Sequence, residues 1–93
     1  MKPCKSRDIE AALLKKGFMV KESHHKIFYF FYEGKITGVH TFLSHGVREY
    51  NAELLTKMRN QLHLSGKELE DLIRCPLSGE EYLILLEERG IFE

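Results

Sequence analysis

Histidine is the residue type in this sequence that is best suited to chemistry, both by number and by spacing. Four of the five histidines lie between positions 24 and 45, namely His24, His25, His40 and His45. Imidazole changes its charge near neutral pH, so it can take a proton from a hydroxyl group or return one to a leaving oxygen. The cluster therefore favours proton transfer, for example at a ribose 2′-hydroxyl and a departing 5′-oxygen.

Three predicted strands would bring these histidines together. Residues 18–22, 25–32 and 36–42 are rich in aromatic and β-branched side chains, and Glu33-Gly34-Lys35 is typical of a tight hairpin turn. In an antiparallel meander, the end of this hairpin opposite its turn places His24 and His25 beside residues 41–45. The pattern thus predicts one site at that end of the sheet.

Two helices are predicted to flank the strands. The first covers about 7–16, with Ser6 as its N-cap and Gly17 after its last turn, and the second covers about 51–63, with Asn51 as its N-cap. Helical spacing assigns to the core Ile9, Ala12, Leu13 and the methylenes of Lys16, and then Leu54, Leu55, Met58 and Leu62.

Two shorter helices are predicted at about 66–74 and 79–89, separated by Cys75-Pro76 and closed by Gly90. Each begins with a serine and a glutamate at capping-box spacing, Ser65 with Glu68 and Ser78 with Glu81. The apolar residues of this acidic extension favour a role in the core. The alternative is that it folds over the basic half of the chain and competes with a ligand. The apolar residues are Leu69, Leu72, Ile73, Tyr82, Leu83 and Leu86.

The predicted fold class is therefore α+β, with a three-stranded antiparallel sheet packed on helices in the order α-β-β-β-α and a C-terminal helical extension. At 93 residues the chain is expected to form a single domain over 1–93, with a core at 5–64 and the extension at 65–93.

Alternation in the second strand makes both faces of the sheet aromatic. One face would carry Ile27, Tyr29 and Phe31, and the other Phe28, Phe30 and Tyr32. The phenylalanines are expected in the core and the two tyrosines at wet edges, where a hydroxyl tolerates partial exposure. The first helix can cover only one face. The other is either covered by a C-terminal helix or left for a partner or for nucleobases.

Composition narrows the class of partner. The longest apolar runs are far shorter than a bilayer span, so no membrane partner is expected. The two cysteines, Cys4 and Cys75, are too few for a disulfide framework, so a reducing, cytoplasmic location is expected. The chain has no net charge, but residues 1–50 carry nine basic and five acidic side chains while the remainder carries the reverse. A polyanion would bind the first half.

One stretch of the chain resembles the HicA family of small toxins from toxin–antitoxin pairs. The resemblance covers roughly residues 5–62, and its most specific element is the Gly17-Phe18 step followed by the segment Ser23-His24-His25. It implies a fold akin to the double-stranded-RNA-binding domain. It also implies a type II toxin that cleaves mRNA with a single catalytic histidine and without a metal or other cofactor.

The implied catalytic residue is His24 or His25, of which His25 is favoured. In the mechanism that follows, His25 removes a 2′-hydroxyl proton, lysines balance charge on the phosphate, and nearby side chains donate hydrogen bonds to it. The lysines are Lys21, Lys26 and Lys35, and the donors are Thr41, Ser44 and His45. A HicB-like antitoxin protein and a homodimer are the expected protein partners.

Other functions remain open on the sequence. Glu22 stands where the family usually has glycine, and this added negative charge favours an RNA-binding or protein-interaction module without catalysis. Paired histidines on adjacent strands could also hold zinc, although the sequence lacks regular ligand spacing.

Overall fold

The computed structural model describes residues 2–74 and 76–91, with the side chains of Lys35 and Ile36 not described. Within them the chain forms an α+β fold of four helices, a three-stranded sheet and a two-stranded one. The elements are β1 Cys4–Lys5, α1 Ser6–Lys15, β2 Phe18–Glu22, β3 Lys26–Tyr32, β4 Lys35–Leu43, β5 Glu49–Tyr50, α2 Ala52–Gln61, α3 Gly66–Arg74 and α4 Gly79–Glu88. Cys75 lies outside the described residues.

The predicted antiparallel meander is confirmed, with strand order β2-β3-β4. Phe18 pairs with Phe30 across β2 and β3, and Ile27 pairs with Phe42 across β3 and β4. Glu33 and Gly34 turn the second hairpin with φ angles of 49° and 76°. Two successive left-handed residues match the right-handed twist of the strands they join, which explains the tight turn.

A bulge interrupts the pairing of β3 with β4. Tyr29 pairs with His40 and Phe31 pairs with Ile36, so Phe30 alone faces residues 37–39. The Thr37 hydroxyl fills the gap, because it donates to the Phe30 carbonyl at 2.7 Å and accepts from the Val39 amide at 3.2 Å. A bulge bends the strand that carries the extra residues, here β4.

The N-terminal segment contains a feature that the sequence pattern did not predict. Strands β1 and β5 pair over two residues each, with Cys4 opposite Tyr50. Ser6 belongs to this contact, because its hydroxyl donates to the Val47 carbonyl and its amide donates to the Arg48 carbonyl. The prediction of Ser6 as a helix cap is therefore wrong, and α1 begins without a side-chain cap.

Both shorter helices start as the sequence predicts. Ser65 and Glu68 exchange side-chain and backbone hydrogen bonds at the start of α3, and Ser78 and Glu81 do the same at α4. Asn51 caps α2 by accepting from the Leu54 amide at 3.0 Å. These caps satisfy amide groups that a helix leaves without partners in its first turn.

The C-terminal extension is part of the core. Its side chains Leu69, Leu72, Tyr82 and Leu86 are fully buried. The Tyr82 ring lies 5.8 Å from that of Phe18 and 5.0 Å from that of Phe30, and its hydroxyl donates to the Leu62 carbonyl at 2.8 Å. Burial raises the pKa of this phenol.

Lys16 joins α1 to the start of α4. Only 6% of Lys16 is exposed, and its ammonium donates to the Leu77 carbonyl. Gly79 permits this approach, since a Cβ there would overlap the backbone carbonyl of Lys16. The methylenes of Lys16 thus complete the buried side of α1, as predicted from the helical spacing.

Candidate nucleic-acid interface

Register and alternation divide the large sheet into two faces with different surroundings. The inner face includes Phe18, Val20, Glu22, Lys26, Phe28, Phe30, Thr41 and Leu43, and the outer face includes Met19, Lys21, Ile27, Tyr29, Phe31, His40 and Phe42. The inner face contacts three helices: α4 through Tyr82, α2 through Gln61 and α1 through Glu10. The outer face retains contact with solvent, since Met19 is 48% and Phe31 37% exposed.

Burial settles where the phenylalanines of β3 lie. Phe28 and Phe30 are buried, as predicted, but Phe31 is not. Its expected place in the core is wrong, because it shares the outer face with Tyr29, and the helices pack on the other side.

Aromatic rings form a row along the outer face. The Tyr29 and His40 rings lie 5.8 Å apart, and His40 meets Phe42 at 5.3 Å with their planes at 87°. The row ends at His25, whose ring lies 6.4 Å from Phe42 in an edge-to-face arrangement. Such contacts hold each ring in place while leaving part of it accessible.

The loops that carry His25 and His45 lie at the same end of the sheet. His25 is exposed in the turn before β3, where its carbonyl accepts from the Ser23 amide at 3.0 Å. His45, in the loop after β4, places its Nε2 3.3 Å from the Ser23 carbonyl. The two loops are thereby joined beside the His25 ring.

His24 and His25 differ in their contacts. Both side chains are exposed, and both precede the start of β3 at Lys26, so strand alternation does not separate them. Only His25 makes a ring contact within the part of the chain that the structure describes. This difference favours His25 over His24 as the functional residue.

Hydrogen bonds assign the protons of two imidazoles. The Nδ1 of His40 lies 3.0 Å from the Gly38 carbonyl, and a carbonyl can only accept, so this nitrogen carries the proton. In His45 the donor nitrogen is Nε2 for the same reason. His40 was counted in the histidine cluster but not among the predicted site residues. Its pairing with Tyr29 places it on the outer face.

Lys26 is not positioned to balance negative charge on a phosphate, which is the role that the sequence suggested. Its ammonium donates to the Glu10 carboxylate at 3.0 Å and lies 3.8 Å from the Glu22 carboxylate. The hydrogen bond to Glu10 raises the pKa of Lys26. Glu10 belongs to α1, which packs on the inner face, and Glu22 pairs with Lys26 across the strands. The expectation for Lys26 is therefore corrected: it is an ion-paired residue of the inner face. The negative charge of Glu22 is directed to that face as well.

Thr41 is also not placed to bind a phosphate. It is fully buried, and its hydroxyl donates to the Gln61 side-chain oxygen at 2.7 Å. The expected contact with a phosphate is therefore corrected to a link between β4 and α2. Ser44 is partly buried and lies beside Lys57 and Phe42 at a cavity of about 200 Å³. Lys57 is a cationic residue of α2 that lines this cavity. The sequence pattern did not indicate it, because α2 and the end of β4 come together only in the folded chain.

The remaining two lysines differ in position. Lys21 is exposed on the outer face, where it pairs with Ile27 near the histidine end. Lys35 pairs with Tyr32 at the turn end of the hairpin, and the length of β3 puts roughly 20 Å between that end and His25. Of the predicted lysines, Lys21 is thus the one that shares a face with His25.

The zinc alternative gains no support from the geometry. Within residues 2–74 and 76–91, no group of three or more histidine, cysteine or carboxylate side chains is arranged to hold a metal ion. In the same ranges, no helix is long and apolar enough to cross a membrane.

The chain was compared with protein-family models, with curated proteins and with solved structures, and none of the three comparisons found a match.

Proposed function

We propose that the protein binds RNA on its outer face and cleaves it with His25 as the general base, in the manner of a HicA toxin. The observation that carries this proposal is the exposed His25 imidazole at the end of the aromatic row, on the same face as Lys21. An imidazole that is open to solvent and in edge-to-face contact with Phe42 can exchange protons and reach a bound ribose.

The order of the elements supports the same proposal. Apart from the two-residue strand β5, which precedes α2, the segment from α1 to α2 follows the α-β-β-β-α order of the family that residues 5–62 resemble. The arrangement of a double-stranded-RNA-binding domain, a type II toxin activity on mRNA and its neutralisation by a HicB-like antitoxin are parts of this proposal.

The reaction transfers one proton to the protein and breaks one ester bond. His25 takes the proton of a 2′-hydroxyl, and the 2′-oxygen bonds to the adjacent phosphorus as the bond to the 5′-oxygen breaks. The products are a 2′,3′-cyclic phosphate and a 5′-hydroxyl that takes its proton from water, and His25 afterwards releases to solvent the proton that it took. Lys21 offsets the charge that develops on the phosphate.

Cleavage of a labelled RNA by His25→Ala, with His24→Ala as the matched control, tests this function. A positioned general base contributes about 10²–10⁴ in rate, so His25→Ala should lose that factor while His24→Ala retains most activity. Circular dichroism should show an unchanged fold for both exposed positions. Equal cleavage by the wild type and both variants would refute the role of His25.

A second candidate is an RNA-binding module without catalysis. It is favoured by the ion pairs of Lys26, which leave fewer free cations near the histidines than the sequence suggests. In the same assay, this candidate predicts RNA that is retained on a filter but stays intact with the wild type.

The proposed protein partners are tested by size-exclusion chromatography. Co-expression with the product of a small adjacent gene should give a complex if that product is a HicB-like antitoxin. The protein alone would elute at twice its mass if the outer face instead forms a homodimer.

A further inference from the structure

We infer that the outer face binds single-stranded RNA, whose unpaired bases stack on the row formed by Tyr29, His40 and Phe42 next to His25. The inference rests on the proposed function and specifies the form of its substrate.

The first step is the shape of the surface. The Tyr29 ring contacts that of His40, which in turn contacts that of Phe42. The three rings are therefore ordered before a ligand binds. Phe31 and Met19 extend the same face with 37% and 48% exposure. Ordered aromatic rings on an open sheet provide a platform on which bases stack, and little side-chain freedom is lost on binding.

The second step distinguishes an unpaired strand from a duplex. A double helix hides the faces of its bases and presents phosphates and 2′-hydroxyls, which require several cationic or polar partners. The outer face offers one lysine, Lys21, among mostly apolar and aromatic residues. Its chemistry is matched to exposed base faces and one or two phosphates.

The third step distinguishes a polyanion from a protein partner. None of the eight residues formed by the outer face and His25 is an aspartate or glutamate, although the chain contains 14 acidic residues. The basic side chains of the set are Lys21, His25 and His40. Lys57 of α2 lines a cavity together with Phe42. This charge is complementary to a nucleic-acid backbone.

The positions of His25 and Tyr29 on the outer face determine how a bound RNA strand is aligned. His25 lies at one end of the row and Tyr29 towards the other, so the nucleotides that stack lie on one side of the phosphate beside His25. Removal of a stacking ring should therefore weaken binding of the strand without altering the imidazole that takes the proton.

The test is binding of a fluorescent 2′-O-methyl RNA octamer, single-stranded or annealed to its complement, followed by anisotropy. This RNA cannot be cleaved, because its 2′-oxygen carries no proton. The wild type should bind the single strand at least tenfold more tightly than the duplex. Loss of one stacking ring in Tyr29→Leu should weaken single-strand binding roughly five- to a hundredfold, whereas Tyr29→Phe, which keeps the ring, should bind like the wild type.

Two controls separate stacking from general loss of apolar surface. Phe31→Ala should also weaken binding, while Ile84→Ala, at a 51% exposed position on α4, should not. Equal affinity for both forms of RNA, or unchanged binding by Tyr29→Leu, would overturn the inference. If His25→Ala still abolished cleavage in that case, the proposed function would stand. Elution of the wild type as a dimer that Phe31→Ala converts to a monomer would assign the face to a second copy of the chain and overturn the inference.

Discussion

The two faces of the large sheet are made from nearly the same residue types, yet they have opposite surroundings. Phe28 and Phe30 on the inner face are at most 3% exposed and pack in the core, where Phe30 contacts Tyr82. Tyr29 and Phe31, from the same strand, face solvent on the other side. Aromatic content alone therefore does not determine burial. The decisive factor is where the helices pack, and here they leave one aromatic face open.

The largest expected difference between the faces is in stability. Phe28→Ala removes a fully buried ring and should lower the free energy of unfolding by about 3–5 kcal/mol. Phe31→Ala should lower it less, by about 1 kcal/mol, since 37% of that side chain is exposed in the folded protein. Urea unfolding of both variants measures this, and similar losses for the two would show that the outer face is packed.

A smaller loss of stability is expected for a substitution in α4, which packs on the inner face. Tyr82→Phe removes only the hydroxyl that donates to the Leu62 carbonyl and leaves that buried carbonyl without this partner. The free energy of unfolding should fall by about 1–3 kcal/mol. RNA binding on the outer face should not change. Reduced RNA affinity in this variant would mean that the two faces are coupled.

Acid should weaken the link between α3 and the end of α4. A hydrogen bond from Arg89 is the main reason that the pKa of Glu68 lies below its ordinary value of 4.5, with a further contribution from the Ser65 amide. Because the folded-state pKa is the lower one, the stabilisation is present above pH 4.5 and is lost as the pH falls through the folded value. Urea unfolding as a function of pH should show a shallower acid slope for Glu68→Gln than for the wild type. Identical slopes would exclude Glu68 as a source of acid sensitivity.

The smallest expected effect compares one lysine from each face. Lys21→Gln should reduce the salt dependence of single-strand binding by about 0.7 in the slope of log K against log salt, the contribution of one phosphate contact. Lys26→Gln should leave the slope unchanged, because Lys26 is paired with Glu10 and Glu22. Anisotropy titrations between low and moderate salt provide both slopes. Equal reductions would place RNA near α1.

The parts of the fold that depend on local chemistry could be predicted from the sequence. Residues 18–22 form the strand that was expected, and the serine and glutamate pairs cap α3 and α4 because a capping box involves only neighbours along the chain. Strands β1 and β5 could not be predicted in this way. Each has two residues, and their pairing joins segments about 45 positions apart.

The candidate site was predicted in outline but not in its details. A hairpin brings its strand ends together whatever the side chains are, so the approach of His25 to Phe42 and of His45 to Ser23 followed from topology. The burial of Thr41 and the pairing of Lys26 with Glu10 depend on where α2 and α1 pack. No local pattern in the strands specifies those contacts.

The central claim is that RNA binds the outer face, and aromatic side-chain NMR during titration with the 2′-O-methyl octamer tests it most directly. The account predicts that the ring signals of Tyr29, Phe31 and Phe42 shift with added RNA, while those of Phe18, Phe28 and Phe30 do not. Unchanged ring signals of Tyr29, Phe31 and Phe42, at RNA concentrations at which anisotropy shows the octamer to be bound, would contradict it.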